Sequence, residues 1–518
     1  MHETRMPRTG GEILVDQLLI QGIKQGFYVP SQNDDALLMP LQAAIELITA
    51  WQTDAALMMA EAYGKLASHP GIAFVMSHDG MLDVINGLHI AMQAATPMIV
   101  FVKTRTHEQG LTVLNDVYPA VKWAAIIDEA RLMPAIIGRA FHQASSGRCG
   151  PVVVMLPENV LTECACIADG IPIAPVTIAP SMNDLAQFEQ MLNFARNPIL
   201  ILCGSQWHEK AVARIEQFAA RYALSTAVEG HHSVLFDTTH EAFIGEVGLD
   251  HPALMARIDH ADLVIICGGT LHDAWLNAPV PLQTLIHIHP DINALNAVYH
   301  ADLAINATPE AFTQALLGIR LYNNWLDILQ KDRADYAAWQ CNRTEDRDDV
   351  SMDRLMQAFN TVLPDGAIIT HDQGAYVAAL HRFYHFKHPG THVATALKTT
   401  GYGIAAAMAA KALHPTRTVV CLMDDHECSV SSEALLSAQD HALGIVIIVC
   451  GQMPVNAAYV CHTMDEFFSA SAAAIERAAR GTPVILHCLF TDDARMPLHT
   501  LTDGCNLIQK EVMSSLSQ

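Results

Sequence analysis

The chain reads as an α/β protein with three consecutive doubly wound parallel-sheet domains, at residues 1–168, 184–318 and 345–518. Short runs of β-branched and aliphatic residues alternate with alanine-rich stretches of helical length from end to end, the pattern of strand–helix–strand units around a covered sheet. Two links interrupt it: 169–183, which carries Pro172, Pro175 and Pro180, and 323–349, charged, poor in strand formers and read as a connecting helix. The rhythm of the first block returns in the third.

Taken in order, the first domain opens with a helix over 11–22, offers strands at 26–30, 72–76, 98–102 and 151–155, and carries a further helix over 55–67. These strand candidates lack a polar face, as expected of parallel strands held between two helical layers. The second domain begins with a strand at 198–203, continues at 263–268 and 285–289, and fades near Leu316. The third starts with a helix over 352–363, followed by strands at 367–370, 418–422, 445–450 and 483–487, with a helix over 432–442 between the middle pair.

Composition excludes several classes. A net charge of −24 with no basic stripe to offset it disfavours nucleic acid and acidic membranes as partners. No apolar run approaches the roughly 18 residues that a membrane span needs, and residues 1–10 lack a signal-like apolar core, so the expected location is cytoplasmic. Cys203, Cys267, Cys421 and Cys450 sit inside strand-like runs, where a thiol packs as a small hydrophobe. The close pair Cys164-Ala-Cys166 has the spacing of neither a zinc knuckle nor a Cys-x-x-Cys redox site.

The most informative local feature is Met423-Asp424-Asp425-His426-Glu427, at the end of the 418–422 strand, where a phosphate-holding glycine loop is expected. The next strand ends at Gly451-Gln452, and Asp425 and Gln452 are 452 − 425 = 27 positions apart. That separation spans one helical crossover and brings both strand tips together.

Six stretches in sequence order resemble the acetolactate synthase branch of the thiamine-diphosphate enzymes and cover nearly the whole chain. They are Met58-Met-Ala-Glu-Ala-Tyr-Gly-Lys65; Gly87-Leu-His-Ile-Ala91 with Thr96-Pro97; Gly147-Arg-Cys-Gly-Pro-Val-Val-Val154; Gly245-Glu-Val-Gly248; Ala261-Asp-Leu-Val264; and Gly401-Tyr-Gly403. The resemblance implies pyrimidine-binding, central and diphosphate-binding domains in the thiamine-diphosphate-enzyme fold. It also implies a homodimer or homotetramer with sites between subunits, and a 2-oxo acid decarboxylase or carboligase using thiamine diphosphate and Mg²⁺. By the same resemblance Asp425 and Gln452 are the metal ligands, and Asp372, Gly374, Thr399, Thr400, Gly401, Asp424 and Asp425 line the cofactor.

Several working letters depart from that pattern. Thr53 stands where the family has the glutamate that protonates the aminopyrimidine, and a hydroxyl does not titrate in the useful range. Asp424 and His426 replace the two glycines whose backbone approaches the phosphates. Gln452 replaces an asparagine and puts its amide oxygen one methylene further out, although Mg²⁺ demands near-octahedral geometry. Lys398-Thr399-Thr400 stands for Gly-Ser-Met, and His78-Asp79-Gly80 for Gly-Pro-Gly. Lys398 is suited either to a cofactor phosphate or to neutralising Asp424. The central segment has no motif specific for FAD.

If the fold is right, His78, Asp79, His371, Asp372, Lys398, Asp424, Asp425, His426 and Glu427 face one cleft. Thr53, His78, Asp79, His371, Lys398 and His426 are then the candidate catalytic residues. Histidines and carboxylates together bind Zn²⁺ and activate water, or exchange protons directly. Three functions are therefore open: the family's own 2-oxo acid chemistry with a degraded cofactor site, a thiamine-independent enzyme in the same cleft with or without zinc, and a non-catalytic subunit. His231-His232 and His381 are assigned surface or loop roles.

Overall fold

The computed structural model describes residues 6–30, 35–67, 69–76, 81–229, 234–271, 283–341, 350–395, 397, 399–430 and 432–490. His78, Asp79, Lys398 and the pair His231-His232 lie outside the described residues. Helix starts follow local chemistry: Thr9 with Glu12, Ser181 with Asp184 and Thr463 with Glu466 each form a reciprocal capping box, which satisfies N–H groups that the first turn leaves without partners.

Three six-stranded parallel sheets form the frame. The first contains β1 (Gln25–Tyr28), β2 (Glu46–Thr49), β3 (Gly71–Val75), β4 (Met98–Thr104), β5 (Trp123–Ile126) and β6 (Pro151–Pro157), in the order β2-β1-β3-β4-β6-β5. The second contains β7 (Pro198–Leu202), β8 (Thr226–Val228), β9 (Phe243–Glu246), β10 (Leu263–Cys267), β11 (Thr284–His289) and β12 (Leu303–Asn306), in the order β9-β8-β7-β10-β11-β12. The third contains β13 (Ile368–His371), β14 (His392–Ala394), β15 (Val419–Asp424), β16 (Val446–Gly451), β17 (Tyr459–Cys461) and β18 (Val484–Leu489), in the order β14-β13-β15-β16-β18-β17. The first and third sheets thus share one winding, which is the physical content of their common sequence rhythm. The second is wound outward from β7, the order of dinucleotide-type folds.

The outer sheets meet through two helices, Thr53–Leu66 and Tyr402–Leu413. Both are rich in alanine, so their backbones approach closely, and Met58, Met59, Ala406 and Met408 belong to one core with Val100 and Ile447 from the two sheets. The second domain has a separate core around Leu200, Ile265 and Phe312. The strand cysteines Cys203, Cys267, Cys421 and Cys450 are buried and free, as small hydrophobes are. Among the described residues no helix is long and apolar enough to cross a membrane.

One reading needs correction. His381 is buried, on the helix Tyr376–Phe383, with its ring nitrogen against Glu246 of the second domain. The sequence assigns it a surface or loop role, but the carboxylate from another domain makes burial of the imidazole tolerable.

Candidate active site

Strands β13, β15 and β16 are parallel neighbours, with His371 level with Leu422 and Asp424 level with Cys450. The segments beginning at Asp372, Asp425 and Gln452 therefore leave the sheet along one edge, at its carboxyl ends. Strand order reverses between β13 and β15, the switch point at which α/β sheets offer a ligand crevice. Asp372, Asp424, Asp425 and Gln452 are thus gathered there.

Asp372 is fully buried, and its carboxylate accepts the backbone N–H groups of Gly403 at 2.8 Å and Gly401 at 3.2 Å. These groups open the Tyr402–Leu413 helix. Gly401 has φ +84°, a left-handed conformation suited to glycine, and a Cβ on Gly403 would lie 2.9 Å from the Asp372 nitrogen. A helix N-terminus of this kind is a ready anion site; here the chain's own carboxylate fills it. Burial, with a smaller push from Asp424, raises the Asp372 carboxyl to about 6 despite those hydrogen bonds.

Asp424 and Glu427 cap the short helix Asp425–Val430 reciprocally. The Glu427 N–H donates to Asp424 Oδ1 at 2.7 Å, and the Asp424 N–H donates to Glu427 Oε2 at 3.2 Å. Burial, then Asp372 and Asp424, push the Glu427 carboxyl up to about 8. Asp425 turns toward the neighbouring strand end, where its Oδ2 accepts the N–H groups of Gln452 and Met453, each at 2.8 Å. A Cβ at Gly451 would overlap that carboxylate. The Gln452 side-chain amide donates to the Phe490 carbonyl at 3.2 Å.

The remaining residues named from sequence are placed as follows. His426 is exposed and Thr399 half-buried, while Thr400 is exposed ahead of the helix. Gly374 makes room for the Tyr376 ring, whose hydroxyl lies 3.3 Å from the Asp372 and Leu422 carbonyls. His371 faces His392 rather than the carboxylates, with Nε2 to Nε2 2.8 Å. Thr53 begins the Thr53–Leu66 helix, half-buried.

The inherited motifs meet elsewhere, in a network that residue-type reasoning missed. Glu61 is fully buried on the Thr53–Leu66 helix; it accepts the Thr96 hydroxyl at 2.6 Å and the Tyr402 hydroxyl at 2.5 Å, and pairs with Lys65 at 3.0 Å. Lys65 also donates to the Ala394 carbonyl at 2.7 Å. Three of the six resembling stretches, 58–65, 96–97 and 401–403, are therefore one polar fastening between the outer domains. A glutamate inside an otherwise apolar helical run, with Lys65 one turn on, was the available signal.

A carboxyl-lined switch point in the third of three α/β domains, the first and third similarly wound, defines a three-domain α/β enzyme frame. Domain models agree. Residues 8–116 match the thiamine pyrophosphate enzyme N-terminal TPP binding domain, 185–316 the central domain and 372–485 the C-terminal TPP binding domain. The acetolactate synthase large subunits of Buchnera aphidicola and Haemophilus influenzae are 23% identical over 471 residues and 25% over 474, each covering 85% of this chain and 81% of the relative. The isozyme 2 large subunit of Escherichia coli is 23% identical over 461 residues, covering 85% and 82%. The crystal structure of benzoylformate decarboxylase from Polynucleobacter necessarius superposes with a TM-score of 0.82 at 17% identity, over 95% of this chain and 100% of that one. The chain belongs to the thiamine pyrophosphate enzyme family, in its acetolactate synthase-like branch.

Thiamine diphosphate is accordingly the family's cofactor, and the residues at the switch point can be tested against it. Asp372 accepts the N–H groups of Gly401 and Gly403 at the start of the helix, Asp424 and His426 stand at the positions read from the sequence as family glycines, and Asp425 accepts the backbone N–H groups of Gln452 and Met453. A diphosphate would join four carboxyl groups, at 372, 424, 425 and 427.

Proposed function

We propose that this protein is a repurposed member of the acetolactate synthase-like branch that handles a small 2-oxo acid without magnesium-anchored thiamine diphosphate. Asp372, Asp424 and Glu427 supply acid–base chemistry in its cleft. The observation that carries the reading is the Asp372 carboxylate seated on the Gly401 and Gly403 N–H groups. In this reading Glu427 holds a proton at neutral pH while Asp424 accepts one, the division of labour that general acid–base catalysis needs. Proton exchange next to the carbonyl of the 2-oxo acid is the simplest reaction such a pair performs. His426, exposed at the rim, is the further proton carrier.

Calorimetry with thiamine diphosphate and Mg²⁺ tests the first half: the wild-type chain should give no micromolar binding. A variant restoring glycine, Asp424→Gly with His426→Gly, should gain it. The second half is read by NMR as deuterium incorporation at the carbon beside the carbonyl of pyruvate, fast with the wild-type chain and lost in Glu427→Gln. Micromolar cofactor binding by the wild-type chain would restore the ordinary decarboxylase or carboligase reading, and absence of exchange above buffer would remove the acid–base one.

A further inference from the structure

We infer that His371, His381 and His392 form a binding site for one transition-metal ion, best matched by Zn²⁺, at the junction of the second and third domains. The three imidazoles are buried, and one ring nitrogen from each lies within 4.8 Å of the others. They come from three separate elements: the end of β13, the helix Tyr376–Phe383, and the start of β14. The topology, rather than a local sequence motif, assembles them.

The hydrogen bonds around the cluster prepare its nitrogens. His371 Nδ1 is 2.7 Å from the Asp372 carbonyl and must donate to it, so its Nε2 carries the lone pair. His381 Nδ1 is 2.9 Å from Glu246 Oε2 and likewise donates, so Nε2 is the nitrogen it offers. A histidine whose second nitrogen donates to a carboxylate or carbonyl is the usual arrangement of a metal ligand, because the outer partner fixes the tautomer and raises basicity. His392 Nε2 faces His371 Nε2 at 2.8 Å, the span of one shared proton. Coordination needs His392 to carry its proton on Nδ1 instead. Two nitrogens bound at about 2.05 Å to a tetrahedral ion are about 3.3 Å apart, so the rings must part by roughly 0.5 Å.

Imidazole ligands favour zinc and its transition-metal neighbours over magnesium or calcium. Phe386 packs against His381 and His392, with ring centroids at 5.5 and 4.8 Å, and gives the site a dry wall. His392 also lines a cavity of about 320 Å³ between the domains, beside Lys65, Thr96 and Trp207. Of the three rings only His392 borders that cavity, so a fourth, exchangeable ligand is expected from its side, as in a three-nitrogen zinc centre that keeps one open position. The cluster touches the carboxyl edge only through the His371 bond to the Asp372 backbone carbonyl, and stands whether or not the acid–base reading does.

The test uses the full-length chain, stripped with a chelator and titrated with Zn²⁺ under calorimetry and elemental analysis. One zinc per chain and a raised melting temperature are expected. His392→Ala should lose the ion, and Glu246→Gln should weaken binding roughly 10- to 100-fold. Asp425→Asn should keep full binding; loss there would place the ion in the other cleft and overturn the assignment. Should the histidine variant fail to fold, Co²⁺ in the wild-type chain replaces it as a readout. Visible bands of a tetrahedral nitrogen site are expected, and their absence, or substoichiometric zinc, would overturn the proposal.

Discussion

Glu427→Gln isolates the electrostatic cost of the carboxyl edge. Glu427 is only 7% exposed and is pushed from an ordinary 4.5 to about 8, by burial first and then by Asp372 and Asp424. A folded-state value above the unfolded one means this group's contribution to stability is complete below about pH 4.5 and is lost as pH rises through 8. The unfolded chain releases the proton early, and the folded chain must either hold it or bury a charge. The ceiling on that loss is about 5 kcal/mol. Because Asp372 adjusts its own ionisation in response, about 2 kcal/mol is the expected net. Glutamine keeps an oxygen to accept the Asp424 N–H and has nothing to titrate. The variant should therefore melt about 2 °C above wild type near pH 9, with most of that gain gone near pH 5. Calorimetric melting at both values is the assay. An equal gain at both, or no gain at the higher pH, would refute the clustered-carboxyl argument.

Other expectations rest on other parts of the molecule. Glu61→Ala removes the acceptor shared by Thr96, Tyr402 and Lys65 and should cost about 3–5 kcal/mol, because it leaves a buried ammonium without its countercharge. Adding Lys65→Met should return more than half of the lost melting temperature, and no recovery would mean that packing, not charge, was lost. Burial holds His251 and His289 near 4, with His287 adding to the effect at His289. Their folded-state values lie below the unfolded one, so the stability they contribute is present above about pH 6.5 and disappears as pH falls toward 4, by at most about 3 kcal/mol per ring. His251→Phe should flatten that acid limb of the melting profile, and an unchanged slope would exclude His251 as its source.

The continuous apolar runs were legible because strands between helical layers need no polar face: the cores of β1, β3, β4, β6, β7, β10, β11, β13, β15, β16 and β18 all fall in expected segments. The strands not read from sequence are short, polar or peripheral. Glu46–Thr49 and Trp123–Ile126 are half-buried strands at the two edges of the first sheet, and His392–Ala394 has three residues. Burial on one face or over so few positions leaves no periodic signal. The carboxyl edge was visible because strand ends bring their loops together by topology. The histidine cluster was not: nothing local links 371, 381 and 392, and Glu246 comes from another domain. Glu61 was quoted inside a recognised stretch, yet its partners, 35 and 341 positions away, appear only once the outer domains meet.

The hydrogen bonds of the carboxylates at 372, 424 and 425 follow one physical requirement. Helix starts and strand-end loops leave N–H groups that need acceptors, and in a cofactor-holding relative an anion can supply them. Here each is supplied from within: Asp372 serves Gly401 and Gly403, Asp424 and Glu427 serve each other's backbone, and Asp425 serves Gln452 and Met453. Carboxylates placed in this way close these helix starts and strand ends on the chain's own side chains. The same logic constrains the glycine-restored variant. Removing the Asp424 carboxylate leaves the Glu427 N–H without its acceptor, at a cost of about 1–3 kcal/mol, so without ligand it should melt below wild type. Its stability should return only when thiamine diphosphate and Mg²⁺ reoccupy the edge. Unchanged melting without ligand would show that this carboxylate closes nothing.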